Sequence, residues 1–221
     1  MAGPAPLHQL SIGAARALYG FVYAPGREAD PARLEALFGD SALDADDAFV
    51  NQAIRERLGL GDAAEFDPRD PVQRAALLPR EALSSLAWRL GLGCGASRLR
   101  RLIRRDELAE LGDEISERDW RLVLELHPSQ AGDIAALAQA PVAALPETCR
   151  RVGWDLLAAA CDTLPADIGK RLQLKLPLDA APSEHPRTAL QRERFAAACA
   201  DAAGEWDPDW EATWASSPSA T

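Results

Sequence analysis

The chain has 221 residues, with 34 acidic side chains against 24 basic ones and a formal net charge of -10. Alanine and leucine, which favour helices, number 44 and 31, whereas the β-branched residues that favour strands number only 17. This composition excludes a sheet-dominated fold and predicts an all-α, compact helical domain with at most one short strand pair. The negative charge argues against nucleic acid or an anionic membrane as the main partner.

The sequence shows neither a membrane-spanning run nor a secretory signal. The longest apolar run, Leu156 to Cys161, is far shorter than the ~18 residues that a span requires. The first six residues contain no basic region followed by an apolar segment. We therefore expect a cytoplasmic protein without direct membrane insertion, and reduced, structural thiols at Cys94, Cys149, Cys161 and Cys199.

Residues 1–60 predict a small N-terminal helical lobe. A helix over Leu7 to Leu18 is expected to break at Gly20, with Phe21 to Tyr23 extended. Further helices begin at Asp30-Pro31 and near Asp46 and end at Gly39 and Gly59. The turn-rich stretch 61–71 is predicted as a linker to a main helical domain over 72–215, followed by a disordered tail over 216–221.

The main domain contains several helix starts. Asp70-Pro71 repeats the capped start, a stronger helix follows Pro79, and Ser116 to Asp119 has the form of a capping box. Gly91, Gly93 and Gly95 predict a loose connection between that stronger helix and the next, which begins at Ser97. A long helix from Pro146, with an apolar stripe that includes Cys149 and Leu157, is expected to be the core helix.

The segment Lys170 to Leu176 alternates polar and apolar residues with a period of two, which predicts a strand ended by Pro177. Its expected partner is Phe21 to Tyr23, because no other run looks extended. The competing interpretation is that Ile168 and Leu172 belong to a helix. Past a loop, Thr188 to Ala203 predicts another helix.

No pattern in the sequence points to catalysis, a cofactor or a metal. The glycines around Cys94 follow a helical pattern and lack the spacing and the lysine of nucleotide-binding loops. The three histidines, His8, His127 and His185, have no ligand spacing to one another or to a cysteine. We expect no catalytic, cofactor-binding or metal-binding residues.

The densest basic patch comprises Arg98, Arg100, Arg101, Arg104 and Arg105. On one continuous helix, Arg98, Arg101 and Arg105 would share a face. This face is either solvated and paired with Glu107 and Glu110, or a docking surface for an acidic partner, since guanidinium groups bind carboxylates bidentately. Nucleic acid is a weaker alternative, because no aromatic residues are interleaved.

Three tryptophans near the C-terminus, Trp206, Trp210 and Trp214, are spaced four residues apart. A helix there would present one indole face. That face either folds back onto the core or anchors a partner. We therefore take the three tryptophans, with Arg98, Arg101 and Arg105, as candidate partner-binding residues.

Two segments resemble a known family. Leu86 to Leu92 (LAWRLGL), followed by the arginine-rich segment, and above all Lys170 to Leu178 (KRLQLKLPL) with Pro182-Ser183-Glu184, resemble the SctK (YscK) proteins of type III secretion systems. The second motif is the more specific, and the resemblance covers residues 80–185 most clearly.

The resemblance implies a cytosolic component of the injectisome sorting platform, acting at the cytosolic face of the inner membrane. It implies two partners: the cytosolic domain of the inner-membrane ring protein (SctD-like) and the pod-forming protein (SctQ-like). It brings no catalytic residues. The alternatives are a type III secretion chaperone, although those are usually smaller α/β dimers, or another helical interaction module.

Overall fold

Helices form all the regular secondary structure of the described residues. The computed structural model describes residues 11–39, 43–61, 66–102, 104–111, 114–125, 134–181, 189–207 and 209–210. In chain order the helices are α1 (Ile12–Tyr23), α2 (Pro31–Phe38), α3 (Ala48–Leu58), α4 (Pro71–Ala75), α5 (Arg80–Leu99), α6 (Arg105–Leu111), α7 (Glu117–Glu125), α8 (Ala135–Gln139), α9 (Leu145–Cys161), α10 (Ala166–Lys175) and α11 (Ala189–Trp206). A 3₁₀ turn, Val142–Ala144, precedes α9. The all-α prediction is confirmed, and this part of the chain contains no strand.

The predicted helix ends are confirmed where local chemistry sets them. The carboxylates of Asp30, Asp47 and Asp70 accept backbone N–H groups at the starts of α2, α3 and α4. Gly39 and Gly59 end α2 and α3 with φ of 86° and 60°, a conformation that favours glycine. The capping box also forms, because the Asp119 N–H donates to Ser116 Oγ at 3.2 Å and the Ser116 N–H to Asp119 Oδ2 at 3.1 Å.

The N-terminal helix is longer than predicted. α1 continues through Gly20 to Tyr23, so the extended segment expected at Phe21 to Tyr23 is wrong. Phe21 and Val22 are buried on the same side of α1 as Leu18. Burying them outweighs the ~1 kcal/mol that a glycine costs inside a helix.

The loose connection expected at Gly91, Gly93 and Gly95 is also wrong, because α5 runs unbroken through all three glycines. Gly91 packs against the backbone of Cys149 in α9, and a Cβ there would overlap the Cys149 carbonyl. Gly153 of α9 packs in the same way against the backbone of Ala87 in α5. These glycines bring two helix backbones into direct contact, as small residues allow.

The helix α9 lies at the centre of the core, as predicted from its apolar stripe. Leu157 packs in a cluster with residues of α1, α4, α5, α10 and α11, whereas Cys149 and Val152 pack in a second cluster with the C-terminal half of α5, α7 and α8. A third, smaller cluster joins Leu34 of α2 and Ile54 of α3 to Leu174 of α10. The division into a lobe, a linker and a main domain stays a prediction.

The strand predicted at Lys170 to Leu176 is wrong. Residues 166–175 form the helix α10, as the competing interpretation held. Ile168 and Leu172 are buried, but so are the charged side chains Arg171 and Lys175, which are 1% and 5% exposed. These buried cations produced the misleading alternation. In the ranges given above, no helix combines the length and the apolar character that crossing a bilayer requires.

Candidate partner-binding surfaces

The arginine-rich segment does not lie on a single helix. α5 ends at Leu99, the chain turns through Arg100 and Arg101, and α6 begins at Arg105. The turn is closed by hydrogen bonds from the Arg101 N–H to the Arg98 carbonyl and from the Leu102 N–H to the Leu99 carbonyl, both 3.1 Å. The expected common face of Arg98, Arg101 and Arg105 is therefore wrong as helix geometry, because α5 ends before Arg101 and α6 begins only at Arg105.

Two arginines of the patch are engaged within the chain. Arg100 donates through Nε and Nη2 to the Val123 carbonyl, at 2.8 and 2.5 Å, and so joins the end of α5 to α7. Arg104 forms an exposed ion pair of 2.5 Å with Asp106. Glu107, one of the expected partners of the patch, accepts from the backbone N–H of Arg104 at 3.4 Å.

The three remaining arginines differ in exposure. Arg101 and Arg105 are exposed, whereas Arg98 is half-buried. Its Nε is buried and, within the described residues, has no hydrogen-bond partner. Arg101 and Arg105 are therefore the members of the patch that an acidic partner can reach directly.

The C-terminal tryptophans also divide into a buried and an exposed member. Trp210 is 4% exposed and packs in the core with Leu157, whereas Trp206, the last residue of α11, is 50% exposed. Their rings meet edge to face, with centroids 5.8 Å apart. The chain turns at Asp207, whose carboxylate accepts the Asp209 N–H at 3.0 Å, so these two indoles do not share one helical face. Trp214 lies outside the described residues.

A carboxylate on α11 fixes this helix to the body of the fold. Glu205 forms ion pairs with Arg89 of α5 and Arg118 of α7. Burial lowers the pKa of the Arg89 guanidinium. Glu205 directly precedes Trp206, so the ion pairs attach the end of α11 to α5 and α7 just before the exposed indole.

The basic side chains of α10 are a feature that sequence reasoning missed. Arg171 donates to the carbonyls of Phe21 at 3.0 Å, Val22 at 3.2 Å and Gly61 at 2.6 Å, and it pairs with Asp167 one turn earlier. The carbonyls of Phe21 and Val22 belong to the last turn of α1. The last carbonyls of a helix receive no hydrogen bond from an N–H of the same helix, so they need donors from elsewhere. A guanidinium with five donors suits this task.

The two lysines of α10 serve other segments in the same way. Lys170 donates to the carbonyl of Leu58, the last residue of α3, at 2.8 Å, and Lys175 to the carbonyl of Leu78 at 2.8 Å. Burial lowers the pKa of the Lys175 ammonium to about 8. The sequence signal was present in the high density of cations in an otherwise apolar segment, but the period of two directed the interpretation to a strand.

The cysteines behave as core residues. Cys149, Cys161 and Cys199 are buried free thiols, and Cys94 is half-buried. Burial raises the pKa of Cys149 and of Cys161 to about 12 and raises that of Cys199 further. Neutral thiols of this kind are poor nucleophiles and poor metal ligands.

Among the described residues, no three histidine, cysteine, aspartate or glutamate side chains converge as a metal ion would require. The three histidines that the sequence analysis weighed as ligands, His8, His127 and His185, lie outside those residues.

Comparison with known protein families gives a match that covers most of the chain. The family model described as YOP proteins translocation protein K (YscK) matches residues 38–211 of the chain. No match was found among curated proteins or among solved structures. The matched range runs from the last residue of α2 past the end of α11 and contains both α10 and the arginine-rich segment.

Proposed function

Because the chain belongs to the YscK family of type III secretion proteins, we propose that it is a non-enzymatic adaptor of the injectisome sorting platform. In this role it links the cytosolic domain of the inner-membrane ring protein (SctD-like) to the pod-forming protein (SctQ-like), at the cytosolic face of the inner membrane. The family match over residues 38–211 is the observation that carries the proposal.

The use of α10 supports a division of labour between the family motif and the partner surfaces. Arg171 and Lys175 are buried and bonded to carbonyls inside the fold, so this part of the motif builds the scaffold. Partners then have to bind elsewhere, on side chains that remain exposed. An adaptor of this kind needs rigid helices that carry separate contact surfaces.

We assign partner contact to the exposed candidates Arg101, Arg105 and Trp206. The half-buried Arg98 contributes indirectly, from its position at the end of α5. The buried Trp210 contributes by supporting the ring of Trp206 through their edge-to-face contact. Trp214 stays a candidate of the same group outside the described residues. Arg101 and Arg105 suit acidic groups on a partner, because a guanidinium group binds a carboxylate through two hydrogen bonds.

The adaptor role is tested by a bridging experiment with three purified proteins. The ring protein's cytosolic domain is immobilised and the pod protein is passed over it, with and without the full chain. We expect the pod protein to be retained only when the chain is present. Retention without the chain, or binding of the chain to neither protein, contradicts the adaptor proposal.

The arginine surface is tested by reversing the charge of its exposed members. We expect Arg101→Glu with Arg105→Glu to weaken binding to one of the two partners by at least about ten-fold at low salt. The matched control is Arg121→Glu on α7, whose side chain is 70% exposed and forms an ion pair with Glu117 one turn earlier. Wild-type affinity of the double variant for both partners would show that the patch is a solvated surface.

A further inference from the structure

The helix α1 presents a second apolar face, directed away from the core. Ile12, Arg16, Tyr19 and Tyr23 follow one another at intervals of four, three and four residues, so they lie along one side of the helix. Ile12 is 90% exposed, Tyr19 66% and Tyr23 43%, and Arg16 is exposed as well. We call these four residues the α1 stripe. The opposite side of α1 is the buried one, formed by Ala14, Leu18, Phe21 and Val22.

The aromatic part of the α1 stripe is ordered. The rings of Tyr19 and Tyr23 stack in a tilted arrangement with centroids 4.8 Å apart. The guanidinium of Arg55, on α3, lies over the Tyr23 ring at 5.1 Å from its centroid. Tyrosine and arginine held in place in this way are the residue types that dominate binding energy at protein interfaces.

The charge of α1 itself is opposite to that of the whole chain. α1 contains no acidic residue, and its one charged side chain is Arg16, while the chain as a whole has a net charge of -10. Exposed apolar residues grouped beside a charged one are typical of an interaction site.

From this arrangement, we propose that the α1 stripe binds an acidic amphipathic helix of another protein. The apolar residues of that helix pack against Ile12 and the two tyrosines, in the manner of a helix docked along a groove. Its carboxylates lie beside Arg16, the charged residue of the stripe. The partner is thus defined by an apolar stripe flanked by Asp and Glu.

A second copy of this chain fits the α1 stripe less well. A symmetric dimer places the same residues on both sides of a two-fold axis. With the axis near the middle of the stripe, between Arg16 and Tyr19, each Arg16 faces the other. Two copies with a net charge of -10 each also repel one another.

An anionic lipid surface fits less well for a different reason. Helices that lie in a membrane interface carry many Lys and Arg residues on the side opposite their apolar face. In α1 the opposite side is buried in the core and contains no charge. This inference does not depend on the adaptor proposal, because it assumes nothing about which protein supplies the helix.

Site-specific crosslinking tests the occupant of the α1 stripe. The photoreactive residue p-benzoylphenylalanine replaces Tyr19 in the full chain, expressed in cells that assemble the secretion system, and the crosslinked peptide is sequenced by mass spectrometry. The control places the same residue at Phe49 of α3, which is 87% exposed. We expect Tyr19, but not Phe49, to capture a segment of another protein with acidic residues flanking apolar ones at helical spacing.

Each other outcome overturns the proposal. A crosslink to this chain itself, within one molecule or between two copies, identifies a different occupant. A captured segment that is not acidic, or the absence of any adduct at Tyr19, also contradicts it.

The affinity is then measured with a synthetic peptide of the captured segment and the purified full chain, by fluorescence anisotropy. We expect Tyr19→Ser and Arg16→Glu each to weaken binding about ten-fold, and Phe49→Ser to change it less than about two-fold, with wild-type circular dichroism for all three. Equal affinities for the wild type and the two stripe variants contradict the proposal.

A flotation assay with vesicles of phosphatidylcholine and phosphatidylserine tests whether the full chain binds a membrane. We expect the full chain not to float with them. Flotation that Arg16→Glu abolishes would assign the stripe to a lipid surface instead.

Discussion

Gly91 of α5 lies directly against the carbonyl of Cys149 in α9, with no space between them for a side chain. Gly153 repeats this contact in the other direction, against Ala87. The helices α5 and α9 are thus held at a separation that only glycine permits at these two positions. Both contacts are made by backbone, which cannot swing aside as the end of a flexible side chain can.

We expect Gly91→Ala to destabilise the protein by about 1–3 kcal/mol or more, because the added methyl group forces α5 and α9 apart. The control is Gly20→Ala in α1, where a Cβ meets no atom within 4 Å. That change should stabilise the protein by about 0.5–1 kcal/mol, since alanine is the better helix former. Urea unfolding measures both. A Gly91→Ala variant as stable as the wild type would show that the helices separate at little cost.

The buried guanidinium of Arg171 leads to a second prediction. Arg171→Met leaves the carbonyls of Phe21, Val22 and Gly61 without this donor, so we expect a loss of about 3–5 kcal/mol in the free energy of unfolding. Arg171→Lys should recover only part of the loss, because one ammonium cannot reach three carbonyls as a fork does.

The matched control for Arg171 is Arg121→Met, at a side chain 70% exposed, which should change stability by less than about 0.5 kcal/mol. Thermal and urea unfolding, followed by circular dichroism, give the comparison. If both variants lose the same free energy of unfolding, the hydrogen bonds of Arg171 do not contribute to stability as proposed.

Lys175 makes stability depend on pH in the alkaline range. Its pKa falls from 10.5 to about 8 in the folded protein because the ammonium is buried. Between these two values the unfolded chain binds the proton and the folded chain does not, so the contribution of Lys175 to stability rises with pH from about 8 to about 10.5. The full gain is on the order of 3 kcal/mol.

The measurement is the difference in unfolding free energy between the wild type and Lys175→Met, from pH 7 to pH 10.5. The difference is needed because the buried cysteines act in the opposite direction. Their folded pKa values are raised from 9.0, so their contribution falls as pH rises above that value. We expect the free energy of unfolding of the wild type to increase relative to that of Lys175→Met as pH rises. A difference that stays constant with pH would contradict a lowered pKa for Lys175.

The thiols offer a fourth prediction, based on burial. In native protein at neutral pH, N-ethylmaleimide should modify Cys94 first, because it is half-buried while Cys149, Cys161 and Cys199 are buried. All four should react in urea. Peptide mapping after a timed pulse distinguishes the sites, and rapid labelling of Cys161 in the native protein would contradict its protected position.

Part of the fold could be predicted because local chemistry determines it. An aspartate before a proline places both a cap and a fixed φ at a helix start, and Gly39 and Gly59 adopt positive φ at helix ends. Such signals act within a few residues. They therefore locate helix ends in α2, α3 and α4 without any knowledge of the neighbours.

The wrong predictions lie where tertiary contacts give a residue a structural role that differs from its usual local one. Gly91 usually signals a break, but here it permits close packing against α9. Arg171 and Lys175 usually signal a solvent face, but here they are buried under carbonyls that lie far away in sequence. The common face predicted for the arginine-rich segment was wrong because α5 ends at Leu99 and the chain turns through Arg100 and Arg101.

The long reach of α10 also sets when the chain can complete its structure during synthesis. The hydrogen bonds of Arg171, Lys170 and Lys175 span 150, 112 and 97 residues, to Phe21, Leu58 and Leu78. A ribosome adds about 5–20 residues per second, so the ends of α1 and α3 wait several seconds for their donors. We expect nascent chains stalled before Lys170 has left the exit tunnel to be cut by protease within α1 and α3. Chains stalled after α10 has emerged should resist. The translation interval between these segments is thus the period in which the N-terminal helices lack their contacts with α10 and are open to protease.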